Sequence, residues 1–499
     1  GPMRLLLVGA VSLTLLSVTY ATPRLEGHRP WEPGDRVPFA QWAGKEQTVP
    51  RVPSPSFSGY KLPSSGVAKN KAEKAGPGGD VAQAPLLASA DPSPAQPNSP
   101  QRDEAARKKG PAKGAVTISP EVFNGVIAEI EDPSGKAMDH FYRTLLATAQ
   151  KEPGALTRVT HWGASTLATD GITSAVRRKF QARFGDGGKG WVPITKAWKF
   201  IQQKDVTFRS RGFKPYHVAS RRLGISNYGY GGVVGRSLEG AKATYKANAA
   251  RMEVYYRKMK GGGKISISVD KQKPVLIPTR ARPAEDAWAV ITAQSPGRHK
   301  YTVRALPNGM VQLYGVTLEN PGPGVVYDCV GLVGTVSSRL LHYKPKHIKE
   351  QVAHRQPDLF VFMFGGNELV NRKLNLDRYY KSYRKVLRMM RAGRPEASCL
   401  IMTPGDHGKN VDGKMVTDPL LLEVIKRQRK LAMEEGCGFY STLKAMGGEG
   451  SASQWYRAVP RLISGDFAHL TSNGEQVMGA QLYKAYMKGF HHWLARRKK

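Results

Sequence analysis

The sequence of 499 residues has little cysteine, few acidic side chains and no long apolar run beyond Val18. Three cysteines, Cys329, Cys399 and Cys437, are too few for a disulfide scaffold. They allow one bridge with one thiol left over, or buried free thiols, and their spacing matches no metal site. The hydrophobic content of 40% is enough for a sizeable core. The length predicts two or more folded units joined by linkers.

The scarcity of acidic side chains gives the chain a strongly basic balance. It has 39 Asp and Glu against 76 Lys and Arg, and a formal net charge of +37. Such a charge favours anionic surroundings, namely nucleic acid, anionic lipid or an acidic cell-wall polymer. A solvated basic surface without any partner is the other interpretation.

The N-terminus indicates export. Arg4 precedes the apolar run Leu5–Val18, and the small residues Thr19 and Ala21 follow it. This pattern predicts a signal peptide over 1–24, with a retained membrane anchor as the alternative. No other apolar run reaches about 18 residues, so no further membrane span is expected. An exported chain, in the periplasm or cell envelope, would meet an envelope polymer and not nucleic acid.

The segment 25–117 has the composition of a disordered spacer. The stretch Pro23–Pro111 contains 15 of the 34 prolines, with much Ser, Gly, Ala and Lys. Few aromatic or β-branched residues interrupt it, so it cannot bury enough apolar surface to offset the entropy of ordering. Order is expected to begin near Ile118, with a helix over "SPEVFNGVIAEIED" and a second over "MDHFYRTLLATAQ".

The rest of the chain predicts an α/β domain interrupted by an all-β module. In 236–318, "KISISVD" alternates with period two, and "AWAVITA", "HKYTVRAL" and "GMVQLYGVTLE" are further short strands. In 118–235 and 319–499, apolar strands such as "PDLFVFMFGGNE" and "SCLIMTPGD" alternate with helical segments. Alternation of this kind implies a parallel sheet covered on both faces, with ligands at the carboxyl ends of the strands.

Ser165 stands at one such strand end, after "LTRVTHWG" and before a predicted helix. A serine hydroxyl becomes a strong nucleophile only when an imidazole takes its proton and a carboxylate orients that imidazole. Of the twelve histidines, only His469 has an acidic residue three positions before it, Asp466. Ser165 in an ordinary Gly-rich turn is the structural alternative.

Acyl transfer also needs hydrogen-bond donors for the oxyanion that develops on the carbonyl. Gly334 in "GLVG" and Asn367 in "FGGNE" both follow buried strands. Their backbone and side-chain N–H groups are candidate donors, together with the N–H of Ser165. Each also has a purely structural interpretation, in which Gly334 is a packing glycine and Asn367 a turn-forming residue.

The order of these blocks resembles the SGNH, or GDSL, hydrolases over roughly 120–235 and 319–499. "HWGASTLATDG" resembles their first block, "GLVG" the second, "FGGNE" the third and "GDFAHL" the last. The resemblance implies a flavodoxin-like three-layer hydrolase domain with Ser165 as nucleophile, His469 as base and Asp466 as its orienter. The oxyanion hole would then consist of Ser165, Gly334 and Asn367, with no cofactor and no metal.

One further similarity and one departure bear on the resemblance. The all-β module between the first and second blocks is similar to the inserted carbohydrate-binding-like sandwich of bacterial peptidoglycan O-acetylesterases. The family usually has Asp where this chain has Ala164. The expected function is therefore removal of O-acetyl groups from a cell-wall glycan by an exported serine esterase. A glycan O-acyltransferase, and a glycan-binding envelope protein with a degenerate site, are the alternatives.

Two other motifs are given structural interpretations. Asp406-His407 is expected to lie in a loop at the rim of the cleft, and not to form a second acid–base pair. "GYGGVVG" (229–235) lacks the spacing of a dinucleotide-binding loop.

Overall fold

The computed structural model describes residues 116–220 and 225–497. The predicted signal peptide or anchor, and nearly all of the predicted spacer, lie outside these residues. Within them, every helix is too short or too polar to cross a bilayer.

Helices and strands follow one another in the pattern of an α/β chain with a long run of strands in its middle. The α-helices are α1 (Asp139–Ala149), α2 (Gly171–Phe184), α3 (Pro345–Arg355), α4 (Leu376–Arg391), α5 (Pro419–Glu434), α6 (Thr442–Met446), α7 (Ser451–Arg457) and α8 (Ser472–Arg496). Short 3-10 turns lie at Pro120–Phe123, Ser165–Leu167, Ser337–His342 and Asn367–Val370.

The strands are numbered in chain order, from β1 near the start of the described residues to β18 near their end. They are β1 (Leu156–Gly163), β2 (Gly190–Pro193), β3 (Val206–Arg211), β4 (Lys214–His217), β5 (Val233–Ser237), β6 (Ala241–Asn248), β7 (Arg251–Lys258), β8 (Lys264–Val269), β9 (Val275–Pro278), β10 (Glu285–Thr292), β11 (Arg298–Ala305), β12 (Val311–Glu319), β13 (Gly324–Gly331), β14 (Leu359–Met363), β15 (Ser398–Met402), β16 (Gly408–Val411), β17 (Lys414–Thr417) and β18 (Gly438–Tyr440).

A five-stranded parallel sheet in the order β13-β1-β14-β15-β18 forms the centre of the α/β part. Two of its inner strands, β14 and β15, are buried along their whole length, as expected when helices cover both faces. Phe180 of α2 and Tyr486 of α8 pack in the core on one face. Val386 of α4 and Val424 of α5 pack in the core on the other. This three-layer arrangement confirms the predicted fold class.

The antiparallel strands β2 to β12 form a sandwich of two sheets. One has the order β10-β7-β12-β5-β4, with β2 paired to β12, and the other has the order β3-β6-β11-β8-β9. Tyr245, Val254 and Val303 belong to the core between them. These strands run from Gly190 to Glu319, and so begin well before residue 236, where the sequence placed the start of the module.

The six-stranded sheet of the sandwich also packs against the α/β part. Trp191, Tyr255 and Tyr314 lie in the same hydrophobic cluster as Trp162 and Phe360 of the parallel sheet. The Trp191 ring meets Tyr255 edge-on at 5.1 Å between centroids. The sandwich and the α/β layers therefore share one of the cores of the molecule.

The segment before α1 departs from the predicted helix over "SPEVFNGVIAEIED". Only Pro120–Phe123 is helical, as a 3-10 turn, because Gly125 takes a positive φ of 69° that ends it. Glu131 then exchanges two backbone hydrogen bonds with Phe439, at 2.8 and 2.9 Å, and extends the edge of the parallel sheet.

Two cysteines that the sequence left undecided are joined by a disulfide. Cys399 on β15 is bonded to Cys437, which directly precedes β18. Cys329 on β13 is a buried free thiol.

Candidate active site

The end of β1 is closely packed against its neighbours. A Cβ atom on Gly163 would lie 2.7 Å from the Leu167 side chain and 2.9 Å from the Met363 carbonyl oxygen. Only glycine therefore fits there. The chain turns at once into the 3-10 turn that begins at Ser165, in which the Ala168 N–H donates to the Ser165 carbonyl at 2.9 Å. This turn places the half-buried Ser165 side chain at the carboxyl edge of the sheet.

The segment after Ser165 is fixed by a buried carboxylate. Asp170 has a positive φ of 54° at the start of α2 and is fully buried. Its Oδ2 accepts hydrogen bonds from Arg177 at 3.1 Å, from Lys189 at 3.0 Å and from the Lys204 backbone N–H at 2.8 Å. Burial opposes the charge, but Arg177 and Lys189 outweigh it and hold the pKa of Asp170 well below its usual range. Two paired cations thus keep this turn in place.

Ser165, His469 and Asp466 form one hydrogen-bonded chain, although their contacts span 304 residues of sequence. The Ser165 Oγ lies 2.7 Å from His469 Nε2, and His469 Nδ1 lies 2.6 Å from Asp466 Oδ2. The other carboxylate oxygen of Asp466 accepts the backbone N–H groups of Ala468 and His469, both at 3.0 Å. The structure therefore brings together the three residues predicted from the sequence.

This geometry shifts the pKa values of both Asp466 and His469. Burial tends to raise the pKa of Asp466, but hydrogen bonds from the His469 ring and from two backbone N–H groups lower it to about 2. The hydrogen bond to Asp466 raises the pKa of His469, and partial burial opposes this only in part. The carboxylate therefore stays ionised and favours protonated imidazole, as a base that must take the serine proton requires.

The two predicted oxyanion donors lie beside Ser165. Gly334 has a positive φ of 65°, which only glycine adopts readily, and its backbone lines the same cavity as Ser165 and Asn367. Among the described residues, no hydrogen-bond acceptor is recorded for the backbone N–H of Ser165 or of Gly334. The Asn367 side chain donates one of its N–H groups to the Thr335 carbonyl at 3.1 Å, which leaves its second N–H for a ligand.

Glu368, which the sequence analysis did not select, joins the two donor loops. Its buried Oε1 accepts hydrogen bonds from the backbone N–H and the hydroxyl of Ser337, both at 2.8 Å. Burial raises the pKa of Glu368. The carboxyl group fixes the loop that follows Gly334 to the loop that carries Asn367.

Ser165 lies between two adjoining cavities of about 250 and 450 Å³. The smaller is lined by Phe364, Pro404 and His407, and the larger by the exposed Phe200 and by Glu475. A small group on one side of the Ser165 hydroxyl and a larger group on the other would both find room.

The side chains of Asp406 and His407 have separate hydrogen-bond partners. Asp406 accepts the Ala452 N–H at 2.8 Å, whereas His407 Nδ1 lies 3.0 Å from the Gly405 carbonyl, so the two side chains are not paired. Burial lowers the pKa of His407, whose side chain lines the smaller cavity. No cluster of three or more potential metal ligands occurs within residues 116–220 and 225–497.

Sequence reasoning did not identify Asp170, Glu368 and Glu475 near the site. The hydroxyl of Thr169 donates to Glu475, and a Cβ atom on Gly171 would clash with the same carboxylate. Asp170 directly before a predicted helix was a weak signal, because Asp commonly begins helices. The other two carboxylates gain their roles only through tertiary contacts.

Comparison with known proteins establishes the fold. A solved structure described as a peptidoglycan O-acetylesterase superposes with a TM-score of 0.62 at 21% identity, covering 73% of this chain and 99% of that chain. A family two carbohydrate esterase from Cellvibrio japonicus gives a TM-score of 0.26 at 14% identity, covering 58% and 100%. A second, from Clostridium thermocellum in complex with cellohexaose, gives 0.24 at 11%, covering 52% and 95%. No family model and no curated protein sequence matches the chain. Only the first likeness is close enough to show a shared fold.

Proposed function

We propose that this chain, which has the SGNH, or GDSL, hydrolase fold, is an exported serine esterase that removes O-acetyl groups from peptidoglycan. The observation that carries the proposal is the continuous hydrogen-bonded chain from Ser165 through His469 to Asp466. It forms without the Asp that the family usually has at the position of Ala164, so this substitution does not prevent the alignment of the three groups.

The geometry supports a two-step reaction. His469 Nε2 takes the proton of the Ser165 hydroxyl as Oγ attacks the acetyl carbonyl carbon. The resulting oxyanion accepts hydrogen bonds from the N–H groups of Ser165 and Gly334 and from the Asn367 amide. His469 then protonates the departing sugar oxygen, and acetyl-Ser165 remains. Water, deprotonated by His469, attacks this ester, and His469 returns the proton to Ser165 Oγ as the Oγ–acyl bond breaks and acetate is released.

The exposure of the site favours hydrolysis over transfer to a second sugar. The His469 side chain is 47% exposed, so water has direct access to the base during the second step. An acyltransferase has to exclude water from its acyl-enzyme, or lose the acyl group to hydrolysis.

Three observations support an envelope glycan as the substrate. The solved structure with the shared fold is described as a peptidoglycan O-acetylesterase. The net charge of +37 favours an anionic polymer. Export is supported by the N-terminal apolar run and by the Cys399–Cys437 disulfide, since such bonds persist mainly in oxidising compartments.

The test is acetate release from O-acetylated peptidoglycan by the purified protein and by the Ser165→Ala variant. Ser165→Ala should lose nearly all activity because the hydrogen-bonded chain works as a unit. The matched control is Ser464→Ala, which removes a hydroxyl from the His469 loop and leaves the backbone hydrogen bond between Ser464 and His469 in place.

Each outcome of this test has a definite meaning. Wild-type-like release by a folded Ser165→Ala protein would refute the assignment of the nucleophile. Turnover of a small acetyl ester without release from peptidoglycan would redirect the proposal to another acetylated glycan. Accumulation of acetylated glycan in the presence of an acetyl donor would instead identify a transferase, and failure on every ester would indicate a glycan-binding protein.

A further inference from the structure

The larger cavity beside Ser165 has one carboxyl group in its wall, that of Glu475. This side chain is only 5% exposed, yet it lines the cavity of about 450 Å³ together with Ser165, Gly334 and Asn367. Much of the remaining wall is apolar and consists of Ala168, Val333 and Leu470. A single buried carboxyl group in such surroundings is a candidate for recognising one polar group of a ligand.

The two oxygens of the Glu475 carboxyl group have different surroundings. Oε1 accepts a hydrogen bond from the Thr169 hydroxyl, whereas Oε2 has no hydrogen-bond partner among the described residues. Oε2 is also not sealed from solvent, in contrast to the unpartnered Oε2 of Glu368. Because Glu475 lines the larger cavity, this accessible oxygen offers a hydrogen-bond acceptor to a molecule bound there.

Gly171 makes room for this carboxyl group. A Cβ atom on Gly171 would clash with Oε2, Cδ and Cβ of Glu475, so only glycine allows the carboxyl group to lie there. Gly171 is the first residue of α2, and Glu475 belongs to the first turn of α8. The positive ends of two helix dipoles therefore lie close to the carboxyl group and favour its ionised form.

The burial of Glu475 is not offset by a paired cation. Burial raises its pKa and Asp170 adds to this effect, while the Thr169 hydrogen bond and the charge of Lys204 oppose it only in part. Within residues 116–220 and 225–497 no basic side chain forms an ion pair with Glu475, whereas the nearby Asp170 is paired with two cations. A buried carboxyl group with one unpaired oxygen costs free energy of folding, and such groups are common at ligand sites.

Other polar side chains of the cavity are already engaged. Ser165 and His469 are hydrogen-bonded to each other, and the Thr169 hydroxyl is bound to Glu475. The accessible oxygen of Glu475 is therefore an acceptor still free for the part of a substrate that does not react. An ionised carboxylate can only accept hydrogen bonds, so the group that it recognises must be an O–H or N–H donor.

We propose that Glu475 is a specificity-determining residue, which accepts a hydrogen bond from a free hydroxyl or amide N–H group of the sugar beside the acetyl ester. The inference rests on the proposed function for the ester itself, and it assigns the sugar to the larger cavity and the acetyl group to the smaller. The preferred substrates are then acetylated sugars that keep a donor next to the ester. Sugars without such a donor, and simple alkyl acetates, are poor substrates.

The experiment compares two acetate esters that differ only in their hydrogen-bond donors. One is methyl 6-O-acetyl-glucoside, which has free hydroxyl groups, and the other is its deoxyfluoro analogue, in which fluorine replaces each hydroxyl and cannot donate. The measured quantity is kcat/KM for the first ester divided by kcat/KM for the second. For the native protein we expect a ratio of roughly 10 to 100, because a site that binds a donor is left with an unpaired acceptor when the donor is missing.

Two variants of Glu475 and one matched control test this ratio. Glu475→Met and Glu475→Gln both remove the charged acceptor, and each should lower the ratio about tenfold, mainly through lower activity on the hydroxyl-bearing ester. Glu475→Gln keeps the shape of the side chain and carries the test if Glu475→Met does not fold. Thr169→Val is the control, since it removes the hydrogen bond to Oε1 and leaves Oε2 in place. Its melting temperature should fall, but its ratio should stay near the native value.

A binding measurement separates this inference from the proposed function. Methyl glucoside has hydroxyl donors but no ester, and its binding to the native protein can be followed by ligand-observed NMR. We expect binding to be lost in Glu475→Met and kept in Thr169→Val. If the native protein hydrolyses no acetyl ester, the proposed function fails, whereas the binding result still decides the role of Glu475.

Three results would overturn the inference. An equal fall in kcat/KM for both esters in the Glu475 variants would show that the carboxyl group only supports the turn at Ser165. Loss of the ratio in Thr169→Val as well would show that the contact with Thr169, and not the accessible oxygen, sets the ratio. Equal kcat/KM of the native protein for the two esters would show that it does not recognise a donor.

Discussion

Replacement of Asn367 by alanine separates a catalytic donor from a turn-forming residue. Asn367 begins a 3-10 turn beside Ser165, and its side chain makes one neutral hydrogen bond, at 3.1 Å, to the Thr335 carbonyl. If the second N–H faces the oxyanion, its loss acts mainly on the transition state.

A role as oxyanion donor and a role as turn former predict different effects of the substitution on kcat and on stability. Loss of an oxyanion donor costs about 2.7–4 kcal/mol of the barrier, which is roughly a 10²–10³-fold fall in kcat with little change in KM. Loss of the single hydrogen bond to Thr335 costs about 1 kcal/mol of the free energy of unfolding. In a chain of this size such a loss lowers the melting temperature by only about 2 °C. The effect on kcat should therefore far exceed the effect on stability.

The assay is kcat on a small acetyl ester and melting temperature, both measured on one preparation. Asn371→Ala is the matched control, since Asn371 ends the same turn and accepts one hydrogen bond from the Lys373 backbone at 3.1 Å. It should keep kcat near the wild-type value. An Asn367→Ala protein with a lower melting temperature and an unchanged kcat would refute the oxyanion assignment and return Asn367 to a turn-forming role.

Further predictions concern the base and the disulfide. Asp466→Asn should fold normally and lower kcat by about 10⁴-fold, as when a triad carboxylate is lost elsewhere; a folded variant with nearly full activity would contradict the role of Asp466. The activity of the native protein should fall as the pH drops through a pKa above 6.5, because His469 must be neutral to act and its pKa is raised. In Asp466→Asn the acid limb of the residual activity should move to lower pH, and an unmoved limb would assign it to another group. Reduction of Cys399–Cys437 should lower the free energy of unfolding by about 4 kcal/mol for a separation of 38 residues, measured by urea unfolding. The double variant Cys399→Ala/Cys437→Ala is the control that should not respond to reductant, and a native protein equally indifferent to it would show that the bridge adds no stability.

Periodicity was sufficient to predict the parallel sheet, because its strands are short apolar runs and its helices have long amphipathic patterns. It was less informative where tertiary contacts decide the backbone. The segment after Ser119 has helical spacing, yet Gly125 ends the helix and Glu131 pairs with Phe439 at the sheet edge. The strands β2 to β5 have only four to six residues each, and their pattern is lost among Gly and Pro turns.

Some residues of the candidate site could likewise be predicted from local sequence patterns, whereas others could not. The spacing of Asp466 and His469 is local, so the sequence alone indicates their pairing, and the structure shows that the carboxylate also binds the backbone of this loop. The position of Ser165 at the carboxyl edge of the sheet was predicted from the apolar strand that precedes it. Glu368 could not be found by such reasoning, because its partner Ser337 is 31 residues away and no local pattern distinguishes it from any other glutamate.

The sequence distance between Ser165 and His469 means that the candidate site can be completed only late in the synthesis of the chain. The two residues are 304 positions apart, and the base lies just before the last helix. During synthesis, Ser165 therefore emerges long before His469 can activate it. In the proposed enzyme, a nascent or incomplete chain would have an inert hydroxyl, and esterase chemistry would begin only when the C-terminal loop closes onto the sheet. The appearance of activity would thus report the completion of folding.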